Sequence, residues 1–157
     1  MKRILCYVAI LAVVLALPVE RADVGDLRPV QAVAVYKQND WVVIETDTED
    51  IGIGVDAAKA LQNLKETAAG IIYLDTAKYL LLAEDAEDAV EDLRGTLKNS
   101  VELCMMSVKP DIQKAAKYLR IHGDLIKLKD WETGAELPVL SIFGDSLIFL
   151  KKVENSA

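Results

Sequence analysis

Residues 55–108, VDAAKALQNLKETAAGIIYLDTAKYLLLAEDAEDAVEDLRGTLKNSVELCMMSV, alternate between two hydrophobic periods. Apolar residues recur every three to four positions over 56–70 and again over 85–99, which predicts two amphipathic helices. Residues 71–84 between them indicate extended chain ending in the apolar run 79–82. Residues 101–108 are apolar on both faces, which is typical of a strand buried between layers. A helix between two apolar strands is a βαβ unit, so we expect 79–82 and 101–108 to pair in parallel.

The flanking segments complete a mixed sheet. Residues 30–44 predict a β-hairpin whose turn is Gln38-Asn39-Asp40, and residues 136–143 and 146–153 predict a second hairpin around Gly144-Asp145. A third helix is expected over 109–119, with Pro110 in its first turn. Trp131 is expected to seal one edge of the core. We therefore predict an α/β (α+β) fold with about six strands in a mixed sheet and three helices.

The first residues have the composition of an export signal. Lys2 and Arg3 precede the apolar stretch 4–19, and charged residues follow it. Sixteen apolar residues are marginal for a membrane-spanning helix, which needs about 20. We therefore assign residues 1–22 to a signal peptide or N-terminal membrane anchor and residues 23–157 to one domain. The protein is expected outside the cytoplasm and associated with a membrane.

Charge and composition argue against several classes of partner. A hydrophobic content of 52% supports a packed core, and a net charge of −7 argues against nucleic acid and against an anionic lipid surface bound through a basic patch. Cys6 lies in the N-terminal apolar stretch and Cys104 in a predicted buried strand, so we expect no disulfide. Cys104 is interpreted as an unreactive core thiol, because burial in apolar surroundings raises a thiol's pKa.

Three features of the sequence are candidate sites. Residues 45–50 contain four carboxylates, which could bind calcium or form a solvated loop, but their order is not that of an EF-hand. Gly52-x-Gly54 before a helix could cradle a phosphate, but loop flexibility with Asp56 as the helix N-cap is the favoured interpretation. His122, the single histidine, could be a general base, but a loop residue capping helix-end carbonyls is favoured.

None of these features contains all the residues that a metal site or a catalytic site would need. The four acids are Glu45, Asp47, Glu49 and Asp50. A zinc site at His122 would need further histidine or cysteine ligands nearby, and an acid–base role would need a nucleophile or an orienting partner. We therefore assign no catalytic, cofactor-binding or metal residue, and we predict that the protein is not an enzyme.

The order of segments resembles the N-terminal domain of the C subunit of spore germinant receptors, the Ger(x)C type. The resemblance spans roughly residues 23–153 and is carried by Asp26-Leu-Arg-Pro-Val30 before the AVAVY strand, by the helix–strand–helix segment 55–97, by VELCMMSVK and by Glu136-Leu-Pro-Val-Leu140. It implies a stand-alone or shortened relative that has no enzyme active site. Family members are typically lipoproteins, whereas Cys6 is not a lipobox cysteine.

Together these observations predict an exported, membrane-associated docking or receptor-accessory domain, and the resemblance implies a role in spore germination or the spore envelope. Expected partners are membrane protein subunits or other envelope proteins, with homo-oligomers also open. The alternatives are a small metal-dependent envelope enzyme that uses the 45–50 acids with His122, and a structural protein that self-assembles through its sheet edges.

Overall fold

A computed structural model describes residues 26–122, 125–132, 135–144 and 146–150. The predicted export segment 1–22, Cys6, Asp145 of the second predicted turn and the predicted strand residues 151–153 lie outside the described residues. The strands are β1 (Leu27–Pro29), β2 (Ala32–Gln38), β3 (Trp41–Thr46), β4 (Ile51–Gly54), β5 (Ile71–Tyr73), β6 (Tyr79–Ala83), β7 (Glu102–Met106), β8 (Ile126–Lys127), β9 (Val139–Phe143) and β10 (Ser146–Leu150). The helices are α1 (Ala57–Thr67), α2 (Ala89–Arg94) and α3 (Ile112–His122).

The main sheet is mixed. Its order is β10-β9-β7-β6-β2-β3-β4, and the short β8 pairs with β7 beside β9. The central strands β2, β6, β7 and β9 are parallel, and β3, β4, β8 and β10 are antiparallel to their neighbours. A second, two-stranded parallel sheet joins β1 to β5. The predicted α/β class with a mixed sheet is confirmed, with more strands than the six expected.

The predicted βαβ unit is confirmed as β6–α2–β7. Strands β6 and β7 pair in parallel, with Leu81 opposite Cys104. Both strands are buried between layers, because their side chains alternate between two cores. Leu80, Leu82 and Leu103 face α1 and α2, whereas Leu81 and Cys104 face α3. Continuous apolar runs are what such a doubly covered position requires.

Both predicted hairpins form. In the β2–β3 turn, Asn39 and Asp40 have φ values of 49° and 68°. Two successive positive φ angles fit the tight turn that matches the twist of paired strands, and Asn and Asp tolerate this conformation. The second hairpin joins β9 to β10, with Gly144 at φ 60°.

Trp131 and the third helix lie close to the positions that the sequence predicted. Trp131 is 2% exposed and belongs to the core under α1 and α2, as expected. Its carbonyl accepts a 2.8 Å hydrogen bond from Arg94 Nη2, which joins this segment to α2. The third helix starts at Ile112 and ends at His122, three residues later at each end than predicted. Its start is set by Asp111, whose Oδ1 accepts from the Lys114 backbone amide at 3.0 Å.

Two predicted elements are interrupted. The extended segment 71–84 is broken by a 3₁₀ turn, where Thr76 Oγ1 donates to the Val30 and Tyr73 carbonyls at 3.0 and 2.8 Å. The helix predicted over 85–99 is α-helical only from Ala89 to Arg94, after a 3₁₀ turn at Glu84–Ala86. Leu97 is nevertheless buried, so the apolar period marked the inward residues correctly without marking the helix ends.

The interpretation of Gly52-x-Gly54 as a flexible loop was wrong. Both glycines lie in β4, opposite Ile44 and Val42 of β3. A Cβ at Gly52 would lie 2.2 Å from the Ala60 carbonyl oxygen, and a Cβ at Gly54 the same distance from the Ala60 amide nitrogen. The glycines are therefore required by the close approach of α1 to β4. The predicted N-cap is confirmed, because Asp56 Oδ1 accepts from the Lys59 amide at 2.7 Å.

Candidate functional site

The acidic segment 45–50 does not form a solvated loop of free carboxylates. Asp50 is 9% exposed, and its two oxygens lie 2.7 and 3.0 Å from Arg28 Nη1. Its Oδ2 also accepts from the Thr48 hydroxyl at 2.7 Å. This pair ties β1 to the β3–β4 turn, so Asp50 has a structural partner that a metal ion would have to displace.

The other three acids point to different neighbours. Asp47 Oδ1 accepts from the amides of Gln31 and Ala32 at 2.9 and 3.3 Å, and it thereby caps the start of β2. Glu45 pairs with Lys109, and Glu49 lies 3.5 Å from the Gln113 amide nitrogen. Within the described residues, no group of three or more His, Cys, Asp or Glu side chains could hold a metal ion.

His122 lies in the last turn of α3 rather than in a loop. Its Nδ1 is 3.1 Å from the Tyr118 carbonyl oxygen, the helix-end contact that the sequence predicted. Its ring stacks on that of Tyr118 with centroids 4.2 Å apart. The contacts of His122 among the described residues are thus with its own helix, and none of the 45–50 acids is one of them.

Cys104 is fully buried in the core beneath α3. Burial raises the pKa of its thiol to about 12, and Sγ donates to the Pro138 carbonyl at 3.3 Å. The thiolate is the nucleophilic form of cysteine, so this thiol has little reactivity near neutral pH.

An apolar surface lies where helix α3 leaves the sheet uncovered. In an antiparallel pair, directly opposed residues project to the same face. Val43 opposes both Tyr36 and Ile53, and Glu45 opposes Ile51, so these residues share the face that α3 covers over β2, β6 and β7. We call Trp41, Ile51, Ile53 and Val55 the apolar patch; the first three project from this face, and Val55 directly follows β4.

A polar cluster separates the apolar patch from α3. The Tyr36 hydroxyl donates to Glu45 Oε2 at 3.1 Å, and Lys109 pairs with the same carboxylate. Lys109 Nζ also lies 5.2 Å from the centroid of the Tyr36 ring. Burial and then the hydrogen bond to Glu45 raise the pKa of Tyr36, and the hydrogen bond to Glu45 raises the pKa of Lys109. Tyr36 is therefore neutral and Lys109 charged at physiological pH, and the cluster forms a fixed polar rim.

The outer edge of β4 is occupied by side chains of α1. Asn63 Oδ1 accepts from the Ile53 amide at 2.9 Å, and Thr67 Oγ1 donates to the Ile51 carbonyl at 3.4 Å. Unpaired backbone groups at a sheet edge promote pairing with another chain. The side chains of α1 bond two of these groups. A partner would therefore contact the exposed side chains of the apolar patch rather than pair with the backbone of β4.

A cavity of about 680 Å³ lies at the carboxyl ends of β6 and β7. Its lining includes apolar surface from Met105, Met106 and Leu137 and the carboxylates of Glu84, Glu87 and Glu136. Ligands of open α/β sheets bind at this end of the strands. Among the described residues that line it there is no histidine, cysteine or lysine.

Comparison with protein families, with characterised proteins and with solved structures gives no significant match to this chain. Within the described residues, no helix has the length and hydrophobicity needed to cross a membrane. The geometry of the chain itself is therefore what argues for a function. The apolar patch was missed in the sequence, although Ile51-Gly-Ile53-Gly-Val55 has the strict alternation of a strand with one apolar face.

Proposed function

We propose that this protein is a non-enzymatic docking domain that binds another envelope protein through the apolar patch. The observation that carries the proposal is the exposure of these four side chains, which is 46–66% on a sheet face whose other half is buried under α3. Contiguous exposed apolar surface with a polar rim is typical of a protein interaction site. Tryptophan is among the residues that contribute most binding energy in interfaces.

The charges around the apolar patch indicate the chemistry of the partner. Asp40 precedes Trp41, Asp56 follows Val55, and both acids are exposed. The whole chain carries a net charge of −7. The partner surface that fits is therefore an apolar segment flanked by basic residues, because opposite charges at an interface rim steer association and fix orientation.

The cellular setting of the proposal comes from the sequence. The apolar segment after Lys2 and Arg3 supports export and association with a cell or spore membrane. The resemblance to the Ger(x)C domain supports spore germination or the spore envelope, with membrane protein subunits as the partners.

The local geometry also supports docking over the two alternatives. The 45–50 acids are bound by different protein groups, and His122 contacts its own helix, so the proposed enzyme site would have to be rebuilt from separated parts. The self-assembly alternative needs an open sheet edge, and it is disfavoured at β4, where α1 covers part of the edge through Asn63 and Thr67. The strand β10 forms the opposite edge of the main sheet and is the edge that this alternative would have to use.

Complementation of a null strain tests the proposal. Trp41→Ser combined with Ile53→Ser should abolish function while the protein folds and reaches the membrane. The matched control is Ile71→Ser with Tyr73→Ser, which removes two side chains that are 47% and 41% exposed on β5, in the other sheet. Full complementation by the Trp41/Ile53 variant would refute docking through the apolar patch.

A second double variant distinguishes docking from catalysis. His122→Ala with Glu49→Gln removes the lone histidine and the most exposed of the four acids without touching the Arg28–Asp50 pair. A docking domain should keep its function, because neither side chain lies in the apolar patch. An enzyme that used either group in acid–base chemistry would lose about 10²–10⁴-fold in rate. Loss of complementation by this folded variant would therefore favour the enzyme.

A further inference from the structure

The outward face of α3 is basic in a chain that is acidic as a whole. Lys114, Lys117 and Arg120 are exposed on it, and the helix Ile112–His122 contains no Asp or Glu. The chain carries 25 acidic and 18 basic residues, so an acid-free surface helix departs from its average composition. The net charge of −7, which by itself argues against binding anionic lipid through a basic patch, is an average over a surface that includes this local positive stripe.

These cations are not neutralised equally by the protein. Lys114 lies 3.8 Å from the carboxylate of Asp111, and both side chains are exposed. Lys117 and Arg120 have no carboxylate within 4.0 Å among the described residues. Exposed ion pairs are weak and screened by salt, so the stripe can bind external anions.

An exposed isoleucine lies at the carboxyl-terminal end of the stripe. Ile121 is 74% exposed, and it lies seven residues after Lys114 and four after Lys117. Residues at these spacings occupy the same side of a helix. A helix that lies in a membrane interface combines basic residues, which meet lipid phosphates, with apolar side chains that enter the boundary with the acyl chains.

We propose that α3 docks on an anionic lipid surface, with Lys117 and Arg120 binding headgroup phosphates and Ile121 entering the interface. A cleft of about 510 Å³ runs beside the helix and provides room for headgroups. Asp47 and Asp111 also line it, but Asp47 accepts from two backbone amides and Asp111 caps α3. This inference goes beyond docking to a protein, since it needs only lipid and uses the outer side of α3 instead of the apolar patch.

The expected preference for anionic lipid is large enough to measure. A basic residue near an anionic surface contributes enough for about a fivefold gain in binding, so three of them give roughly a hundredfold gain over neutral lipid. Neutralising two of the three should lower binding by about 30-fold, and reversing their charge should lower it further. Because the gain is electrostatic, it should shrink as salt concentration rises.

The test is sedimentation of the full chain with vesicles of phosphatidylcholine alone or mixed 7:3 with phosphatidylglycerol. Lys117→Glu with Arg120→Glu should lose the preference for the mixed vesicles. Lys59→Glu with Lys65→Glu on α1, across the sheet, makes the same change in net charge at exposed positions and should keep it. All variants share residues 1–25, so that segment's own affinity for membranes cancels in the comparison.

Ile121→Ser supplies a third variant. It should weaken binding to the mixed vesicles by a smaller factor, and this loss should persist at high salt because it removes an apolar contact. Equal losses in the α3 and α1 charge variants would overturn the proposal, since they would trace the preference to net charge alone. Binding of polyglutamate without any preference for anionic vesicles would also overturn it. That result would indicate that the stripe binds an acidic protein instead of lipid. Neither result would affect the complementation test of the apolar patch.

Discussion

Replacing Gly52 with alanine tests the packing that holds the apolar patch in place. The new Cβ would lie 2.2 Å from the Ala60 carbonyl oxygen and 2.5 Å from Leu64 Cβ, far inside van der Waals contact. The oxygen belongs to the backbone of α1, so relief requires the helix to move away from β4. Overpacking of this kind costs about 1–3 kcal/mol, and a backbone obstacle places Gly52→Ala near the upper end. For a domain of this size, such a loss should lower the melting temperature by about 10 °C.

Thermal and urea unfolding followed by circular dichroism measure this loss, and Gly95→Ala is the matched control. A Cβ at Gly95 meets nothing within 4 Å, and Gly95 has right-handed helical angles of φ −75° and ψ −13°. Alanine there should leave stability unchanged or raise it by about 0.4–1 kcal/mol through the unfolded chain. If Gly52→Ala melts like Gly95→Ala, α1 does not press on β4, and the flexible-loop interpretation of Gly52-x-Gly54 returns.

Three further predictions concern the buried leucines, the Arg28–Asp50 ion pair and the buried thiol of Cys104. Leu81→Asp or Leu93→Asp should unfold the domain, because each buries an unpaired carboxylate at a site at most 1% exposed, at a cost of several kcal/mol; cooperative melting near the wild-type temperature would contradict the core assignment. Asp50→Asn should cost about 1–3 kcal/mol by urea unfolding, since it breaks the partly buried ion pair with Arg28, and an unchanged midpoint would show that this pair does not stabilise the fold. In a Cys6→Ser background, Cys104 should resist Ellman's reagent at pH 8 until the chain unfolds. Its raised pKa means that its contribution to stability is complete below pH 9 and is lost as pH rises towards 12, so Cys104→Ala should flatten that part of the pH profile; rapid labelling of the native thiol would refute its burial.

The sequence predicted the centre of the fold because its signals there were local and consistent. The run at 79–82 and the residues 103–106 within the run at 101–108 are apolar, as two covered faces require, and both segments form parallel strands. The turn at Asn39 and Asp40 needed positive φ angles, which these two residue types tolerate. The apolar period alone could not predict where the helix at 85–99 ends. Leu97 lies beyond the end of the helix, yet it is buried as it would be within one.

The candidate site was not predictable in the same way, because it depends on which elements cover the sheet. Ile51, Ile53 and Val55 are apolar residues like those of the core, and only the position of α3 over β2, β6 and β7 leaves them exposed. The glycines between them suggested a loop, since their packing against α1 is a tertiary contact. The partner of Asp50 is likewise 22 residues away in sequence, a separation at which no local pattern identifies an ion pair.

The apolar patch and the basic stripe of α3 lie on the same side of the sheet, so binding at one limits which partners can reach the other. Helix α3 covers one half of this face, and the apolar patch occupies the other half beyond the Tyr36–Glu45–Lys109 cluster. If the basic stripe of α3 rests on anionic lipid, the apolar patch lies close to the same bilayer. A partner that reaches it there must expose apolar surface near the membrane and basic residues at the lipid boundary. Integral membrane proteins have both, since their membrane-proximal segments are rich in aromatic and basic residues. Lipid docking by α3 would therefore favour a membrane protein subunit over a freely diffusing envelope protein as the partner.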